Sequence, residues 1–501
     1  MANRHVDVDV IIVGAGVAGS SLAVKLGRQG HCVAVIEKHA VAPSTFVGEL
    51  LQPRGHELLY ELGLESALQG IDAQRIYGMA VIDKEKRYAF PFLANRASGF
   101  AFHHSRFVEQ LRMTMRGNAN VQVIGGTVTE LIKEDYGLPG VSYRDPAGAK
   151  KSLRARLVVS ADGRHSVLRK KVLADNATQL SFSIGILVES AKVPFRNHGH
   201  VIVASPAPIL AYPISSTQTR LLIDLPGPLP NRSTGQFSKM LIEKIVPQLP
   251  HEIRGACLAA ITANTDGRNS GSVQIMPTHR LKPSKRAATP KVVFIGDALN
   301  IRHPLTGSGM TVALNDSKLL ANALLRCDLV CPQAIQAALK YFRKERASMS
   351  ASVDTLSGAL YDVLKGSTEG QLRIRNAMYA YWELGGPTIS GPIRLLSGLT
   401  TRRRDLAFHY FSISALAVAK AIIQPHQKPH GLKTIRSSRI DMSPHHEQIR
   451  SDEAAAADAS IDDAVRQKRV IRDRVRSSRE VSKAMSESIS PYITQLLGLG
   501  L

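Results

Sequence analysis

Near the amino terminus an apolar, β-branched run, Val8 to Val13, ends in Gly14-Ala15-Gly16-Val17-Ala18-Gly19. This G-x-G-x-x-G opens a helix-like stretch, Ala18 to Leu26, and a second apolar run follows at Cys32 to Ile36. Strand, glycine turn, helix and strand within about 30 residues make a βαβ unit. The glycines have separate tasks: the first permits a tight turn, the second lets a pyrophosphate approach the backbone, and the third allows close helix-to-strand packing. The amino end of the helix then faces the phosphate charge, with Val17 and Ala18 inside the turn. Glu37 closes the second strand about 20 residues on, where its carboxylate can accept hydrogen bonds from ribose hydroxyls and would repel a 2′-phosphate. Lys38 stands beside it and joins the candidate set. A lone glycine fingerprint also fits a turn in an unrelated α/β protein, but with strand, helix and Glu37 in place the segment reads as a dinucleotide site.

Two later segments decide which dinucleotide. Val292-Val293-Phe294-Ile295 is an apolar strand ending in Gly296-Asp297, followed by His303-Pro304-Leu305-Thr306-Gly307-Ser308-Gly309-Met310 and a helix-like run. Asp297 can bind the ribitol hydroxyls of a flavin. The helix beginning near Gly309 can aim its positive amino end at the flavin's pyrimidine edge, where negative charge collects on reduction. Val158-Val159-Ser160-Ala161 likewise leads into Asp162-Gly163. Taken singly these Asp-Gly and Gly-Asp pairs are ordinary turns; in this order and spacing they specify FAD rather than NAD.

The 501 residues, 44% hydrophobic, suffice for two or three domains around real cores. From Ile76 to Phe102 and from Ser181 to Leu225 short strand-like runs are broken by Pro and Gly, as in a mainly antiparallel sheet. The expected fold is α/β (α+β overall). A discontinuous Rossmann-like FAD-binding domain (6–75, 103–175, 286–345) is interleaved with a sheet domain for substrate (76–102, 176–285). A helical region (346–424) and a charged tail (425–501), helical or disordered, complete the chain. Leu406 to Ala419 holds 14 residues without Lys, Arg, Asp or Glu. A spanning helix needs about 20 apolar residues, so the run suits an interfacial or buried helix better. Met1 to Asp9 is polar and lacks the features of a secretory signal. Four cysteines, Cys327 and Cys331 among them, fit neither a disulfide framework nor zinc-ligand spacing, and no metal is assigned. The formal charge of +23 suits an anionic membrane surface as well as nucleic acid; no nucleic-acid motif accompanies it, and no nucleic-acid partner is expected.

The residues resemble the FAD-dependent aromatic-hydroxylase superfamily and, within it, the squalene monooxygenases, from about residue 7 to about residue 420. The sharpest match is Gly296 to Leu314, GDALNIRHPLTGSGMTVAL, which looks like that family's flavin signature; Val47 to Pro53, Leu356 to Tyr361 and Leu384 to Leu399 resemble further family segments. The resemblance implies that Arg106 contacts FAD together with Glu37, Asp297 and Met310. It also implies that Gln52 and Tyr77 lie by the substrate pocket, joined by a hydrogen bond that shapes the place where the alkene binds. It implies epoxidation of squalene to (3S)-2,3-oxidosqualene in sterol or triterpenoid synthesis. Reduced FAD and O₂ form a C4a-hydroperoxyflavin, electrons come from NADPH through cytochrome P450 reductase, and no acid–base residue is assigned. The carboxyl-terminal helices, Ile374 to Ile423, would then sit monotopically on the cytosolic face of the endoplasmic reticulum membrane, an expectation that extends to microsomes and lipid droplets.

The chain departs from the family in four places. Arg54 stands where a glycine is expected, which would alter the approach of flavin. Ser308 replaces a glycine, a change tolerated if its backbone angles are ordinary. No anchor precedes the nucleotide fold, and a charged tail replaces the second apolar helix expected after residue 420. Two further readings stay open: a flavin epoxidase or hydroxylase of another isoprenoid in a specialised pathway, and a non-catalytic flavin-binding relative.

Overall fold

The computed structural model describes residues 7–92, 97–135, 138–173, 176–268, 271–283, 290–423 and 479–483. The charged tail therefore lies outside the described residues, apart from the helical piece 479–483. The chain divides into two compact units, Met1–Tyr361 with Ser390–Leu406, and Asp362–Ile389 with Ala407–Leu501.

In the first unit, Val8–Val13 lies between Val33–Glu37 and Lys150–Ser160, parallel to both, and Val121–Gly125 extends the sheet beyond Val33–Glu37. Val292–Phe294 pairs in parallel with Lys150–Ser160, although most of a second sheet lies between them in sequence. These strands are apolar on both faces because both are covered. Helices Val17–Arg28 and Gly309–Leu324 pack together on one face, and Leu168, Leu173 and Phe294 belong to the apolar cluster of the other. Thr127–Asp135 and Leu138–Arg144 continue the sheet antiparallel.

The second sheet is antiparallel through Val273–Arg280, Thr178–Glu189, Gln218–Leu225, Ile209–Pro213 and His198–Ile202, with one parallel pairing to Gly78–Asp83. The two-residue alternation of a strand sorts its faces. Leu221, Ile223 and Leu225, with Ile184 and Ile186, share an apolar cluster with Ile253, Cys257 and Ile261 of helix His251–Thr265. Arg220, Leu222 and Asp224 occupy the opposite face, and Leu222 with Ser183, Leu210, Tyr212, Met276 and Thr278 looks into a cavity. The expected fold class is found: a Rossmann-like α/β layer combined with an antiparallel sheet, followed by helices.

Helix Arg403–Ile423 runs beyond the 14-residue uncharged segment read from sequence. Among the described residues it is the one helix long and apolar enough to cross a membrane. Phe408, Phe411 and Ile423 on it are exposed, whereas Ala417 and Ala421 are buried.

Candidate cofactor and substrate site

A cavity of about 290 Å³ collects Gly16, Val17, Ala18, Gly296, Asp297, Pro304, Gly307, Gly309 and Met310. The glycine turn is built for close approach. Gly14 has φ +98°, and a Cβ there would stand 2.6 Å from the Ala161 carbonyl oxygen; a Cβ on Gly19 would stand 1.9 Å from the Gly14 oxygen. A Cβ on Gly16 would meet no described atom within 4 Å, so that glycine keeps a space open rather than a turn closed. Gly14 and Gly19 thus hold the turn from behind the cavity wall, and Gly16, Val17 and Ala18 form the wall itself.

Glu37 is tied to the same turn. Its Oε2 accepts from Ala15 N (2.7 Å) and its Oε1 from His39 N (2.8 Å). Buried Arg112 completes the clamp: its Nε donates to Ala15 O (2.8 Å), its Nη1 donates to His39 O (3.0 Å), and its Nη2 lies 3.4 Å from Glu37. A carboxylate offers about four acceptor sites, so Glu37 retains capacity for ribose hydroxyls. Lys38 is exposed and stands off the cavity. Sequence reasoning missed Arg112, because an arginine on an amphipathic helix ordinarily reads as solvated.

Asp162 does not line the cavity. Its Oδ1 accepts from Ser160 Oγ (2.5 Å) and its Oδ2 from Val167 N (3.0 Å), which folds the loop that brings Gly163 and Arg164 to the cavity. Asp297 does line it. Asp297 is exposed to the cavity, yet desolvation by the protein around it raises its carboxyl above the ordinary range, opposed by Arg302, Arg164 and Arg169. Gly296, at φ +58°, donates its N–H to Asp316 Oδ2 at 2.9 Å, which fixes the turn in front of Asp297. His104, also lining the cavity, is pushed down to about 4, first by desolvation and then by Arg164 and Arg112, and is a neutral imidazole at pH 7.

The turn before helix Gly309–Leu324 is closed by Gly307 at φ +60°, whose N–H donates to Pro304 O at 2.9 Å. Ser308 fits in place of a glycine because its φ is −89°, and its hydroxyl pairs with that of Thr306 at 2.8 Å. Arg54 corrects an expectation: it does not enter the cavity. Its guanidinium turns to Glu57 (2.8 Å) and Glu61 (2.6 Å), and Lys318 pairs with the same Glu61.

Asp297 and Met310 line the cavity as the resemblance implies, whereas Gln52, Tyr77 and Arg106 stand apart from its lining. Gln52 is buried; its Nε2 donates to Thr306 O at 2.7 Å, and its Oε1 has no partner among the described residues. Tyr77 is 47% exposed, and no hydrogen bond joins it to Gln52. Arg106 is exposed on the first turn of helix His104–Arg116, where its charge helps hold the Asp72 carboxyl below the usual range, after the Ser216 backbone N–H.

Two polar clusters of the wall escaped the sequence reading. Buried Arg220 meets buried Glu49 in a two-pronged ion pair at 2.8 and 3.1 Å. Asp224 gathers Ser181, Thr278, Tyr361 and His303. The available signal was charge at Arg220 and Asp224, on one face of an otherwise apolar strand.

A Rossmann-like turn, a Gly-Asp turn bearing a carboxylate, and a helix amino end on one cavity fit FAD, and together they define an FAD-dependent oxidoreductase. The solved structures agree in fold. Pseudomonas aeruginosa PqsL, in complex with 2-aminobenzoylacetate, covers 72% of this chain and 96% of its own at TM-score 0.58 and 23% identity. A variant of Klebsiella pneumoniae HpxO complexed with FAD covers 78% and 99% at TM-score 0.60 and 19% identity. A Cytophaga hutchinsonii flavoprotein/dehydrogenase covers 82% and 98% at TM-score 0.64 and 17% identity. A family model for an NAD(P)-binding Rossmann-like domain matches residues 12–44, and one for squalene epoxidase matches residues 154–432. Squalene epoxidase 1 of Arabidopsis thaliana is 40% identical over 423 residues, covering 83% of this chain and 78% of its own. Squalene monooxygenase of Mus musculus is 38% identical, covering 82% and 71%. The chain belongs to the squalene epoxidase family.

Proposed function

We infer that this chain is an FAD-dependent monooxygenase that epoxidises squalene to (3S)-2,3-oxidosqualene with O₂ in sterol or triterpenoid synthesis. The observation that carries the reading is one cavity faced on one side by the dinucleotide turns and on the other by Leu210, Tyr212, Leu222 and Met276, in a chain of this family. FAD supplies the redox and oxygen chemistry, which no protein side chain provides. The protein binds, orients and excludes water. Gly16, Val17 and Ala18 would hold the diphosphate against the helix amino end, with Gly14 and Gly19 shaping the turn behind them, and Glu37, with Lys38 beside it at the edge of the site, would hold the adenosine ribose. Asp297 would hold the ribitol, and Pro304, Gly307, Gly309 and Met310 the flavin ring. Arg106 and Asp162 belong to the proposed cofactor shell, Asp162 through the loop it folds, and Gln52 and Tyr77 to the substrate side. Squalene has no polar atoms, so burial at about 25 cal/mol per Å² supplies its affinity.

The interleaved domains, 6–75, 103–175 and 286–345 for FAD and 76–102 and 176–285 for substrate, are part of this reading, as is a membrane-associated helical region at 346–424. Helix Arg403–Ile423, with exposed Phe408 and Phe411 and with Arg402 to Arg404 at its start, supports attachment to a membrane surface. The cytosolic face of the endoplasmic reticulum and electrons from NADPH through cytochrome P450 reductase complete the proposal. The test is reconstitution with FAD, NADPH, that reductase and detergent-dispersed squalene, followed by mass spectrometry. A product one oxygen heavier, lost in Asp297→Ala, is expected; bound, reducible flavin with untouched squalene would redirect the reading to another isoprenoid.

A further inference from the structure

The cavity wall contains a polar cluster that an apolar substrate does not require. Asp224 lies on the cavity side of Gln218–Leu225 and is buried. Its Oδ1 accepts from Ser181 Oγ (2.5 Å) and Thr278 Oγ1 (3.4 Å); its Oδ2 accepts from Tyr361 Oη (2.5 Å) and lies 3.6 Å from His303 Nε2. Thr278 and Ser183 also share a hydrogen bond at 2.6 Å. The three donors come from two neighbouring strands and from helix Pro332–Lys365, and His303 approaches from the turn that precedes helix Gly309–Leu324.

His303 is held on every side. Its Nδ1 accepts the Leu305 N–H (3.2 Å), which leaves the proton of the neutral ring on Nε2, facing Asp224. Its carbonyl accepts from Ser357 Oγ (2.9 Å), and the Tyr361 ring sits 4.1 Å from its own. The residues immediately after it, Pro304, Gly307, Gly309 and Met310, line the cavity on the cofactor side, whereas Ser183 and Thr278 line it on the sheet side. Asp224 therefore links the two sides through Tyr361, which donates to it and whose ring lies against His303, and through the close approach of His303 Nε2 at 3.6 Å. The hydroxyls of Ser181, Ser183 and Thr278 are spent within the wall, so the cluster asks for no polar group on a substrate.

We propose that Asp224 is a positioning residue for the oxidation, holding the His303–Gly307 turn at a fixed distance from the sheet that forms the opposite wall. This rests on the reading that FAD lies against that turn. When the alkene is correctly placed, reduced FAD, O₂ and squalene give FAD, oxidosqualene and water. When it is displaced, reduced FAD and O₂ give FAD and H₂O₂. Asp224 governs the partition between these two balanced outcomes, because a displacement of about 1 Å at the reacting centre is enough to lose the productive geometry.

The experiment is a single turnover. Bound FAD is reduced with dithionite, mixed with O₂ and detergent-dispersed squalene, and epoxide and H₂O₂ are counted per flavin; FAD affinity is measured separately by quenching of flavin fluorescence. Asp224→Asn removes the charge and leaves a single acceptor oxygen where the Ser181 and Tyr361 hydroxyls both donate. It should lower the epoxide-to-H₂O₂ ratio about tenfold and weaken FAD, and Tyr361→Phe should move both in the same direction. Wild-type partition and wild-type FAD affinity in Asp224→Asn would overturn the proposal. Should that variant fail to fold, the same result in Tyr361→Phe would overturn it. If the wild-type protein binds FAD but forms no epoxide, the substrate reading fails by itself and Asp224 is judged on FAD affinity alone.

Discussion

The two walls of the cavity are made of different material. The cofactor wall is mostly backbone, supplied by short contiguous segments in which glycines let main-chain atoms approach. The sheet wall is mostly side chain, assembled from residues such as Ser183, Leu222 and Thr278, on three adjacent strands that are distant in sequence and meet only once they pair in one sheet. A backbone wall is sensitive to added volume and a side-chain wall to lost charge or lost partners, so the two should fail under different substitutions.

The largest effect should come from volume. A Cβ on Gly19 stands 1.9 Å from the Gly14 oxygen, backbone against backbone, with no flexible atom to yield. Gly19→Ala should lose about 4 kcal/mol or more in chemical denaturation and retain no flavin after gel filtration. Gly16→Ala is the contrast: with no described atom within 4 Å of its Cβ, its stability should stay within about 1 kcal/mol of wild type while FAD affinity falls, because the methyl group enters cofactor space. Equal stability losses in the two variants would break the distinction between a glycine that packs and a glycine that makes room.

Next comes charge. Glu49 lines the cavity beside the cofactor turns, and Arg220 reaches it from the sheet, both buried. Desolvation raises the Glu49 carboxyl while Arg220 opposes it. Removing one partner leaves the other as an uncompensated buried charge, so Arg220→Met should cost about 3–5 kcal/mol. The double replacement Glu49→Met/Arg220→Met should recover part of that loss, because apolar side chains of similar volume need no partner. A double variant as unstable as the sum of the singles would show that packing rather than charge holds this junction.

The difference between the walls also explains what was legible in the sequence. Gly14, Gly16, Gly19, Glu37, Gly296 and Asp297 could be singled out in the sequence because each proposed task is set by neighbours within a few residues, and local spacing encodes local geometry. The strand-like runs between Ser181 and Leu225 were equally visible, though which of their residues face the core was not. The partners of Asp224 were not legible: Ser181, Thr278, His303 and Tyr361 lie 43 to 137 residues away along the chain. No local pattern distinguishes that carboxylate from a solvated one. Arg54 was misjudged for the reverse reason. Position implied proximity to flavin, but a long side chain can leave its Cα site for the nearest carboxylates.

A smaller effect follows from His200, buried in the sheet. Its Nε2 accepts the Phe195 N–H (3.1 Å) and its Nδ1 faces Ala211 O (3.2 Å), so a second proton has no acceptor. Desolvation pushes it down to about 4, with His198 adding and the Ala211 carbonyl opposing. The folded value lies below the unfolded 6.5, so the unfolded chain binds more protons between these pH values. The neutral ring's contribution is fully present above pH 6.5 and is lost as pH falls toward 4, at about 1.4 kcal/mol per pH unit. Denaturation at about pH 7.5 and about pH 5 should show a loss of about 2 kcal/mol from this residue. His200→Gln, which can still accept from Phe195, should remove that increment, and an identical pH slope in the variant would sink the assignment.

The smallest effect should be at Arg54, the most conspicuous departure from the family. Its guanidinium is shared between Glu57 and Glu61 at the surface of helix Pro53–Leu62, and Lys318 leaves Glu61 paired even without it. Surface pairs of this kind contribute about 0.2–1 kcal/mol. Arg54→Ala should therefore cost under about 1 kcal/mol and leave FAD affinity within about twofold. The stability loss should shrink further in high salt, because exposed pairs are screened. A large change in flavin affinity would mean that the side chain reaches the cofactor after all, and that position 54 belongs to the backbone-built wall rather than to the outer surface of its helix.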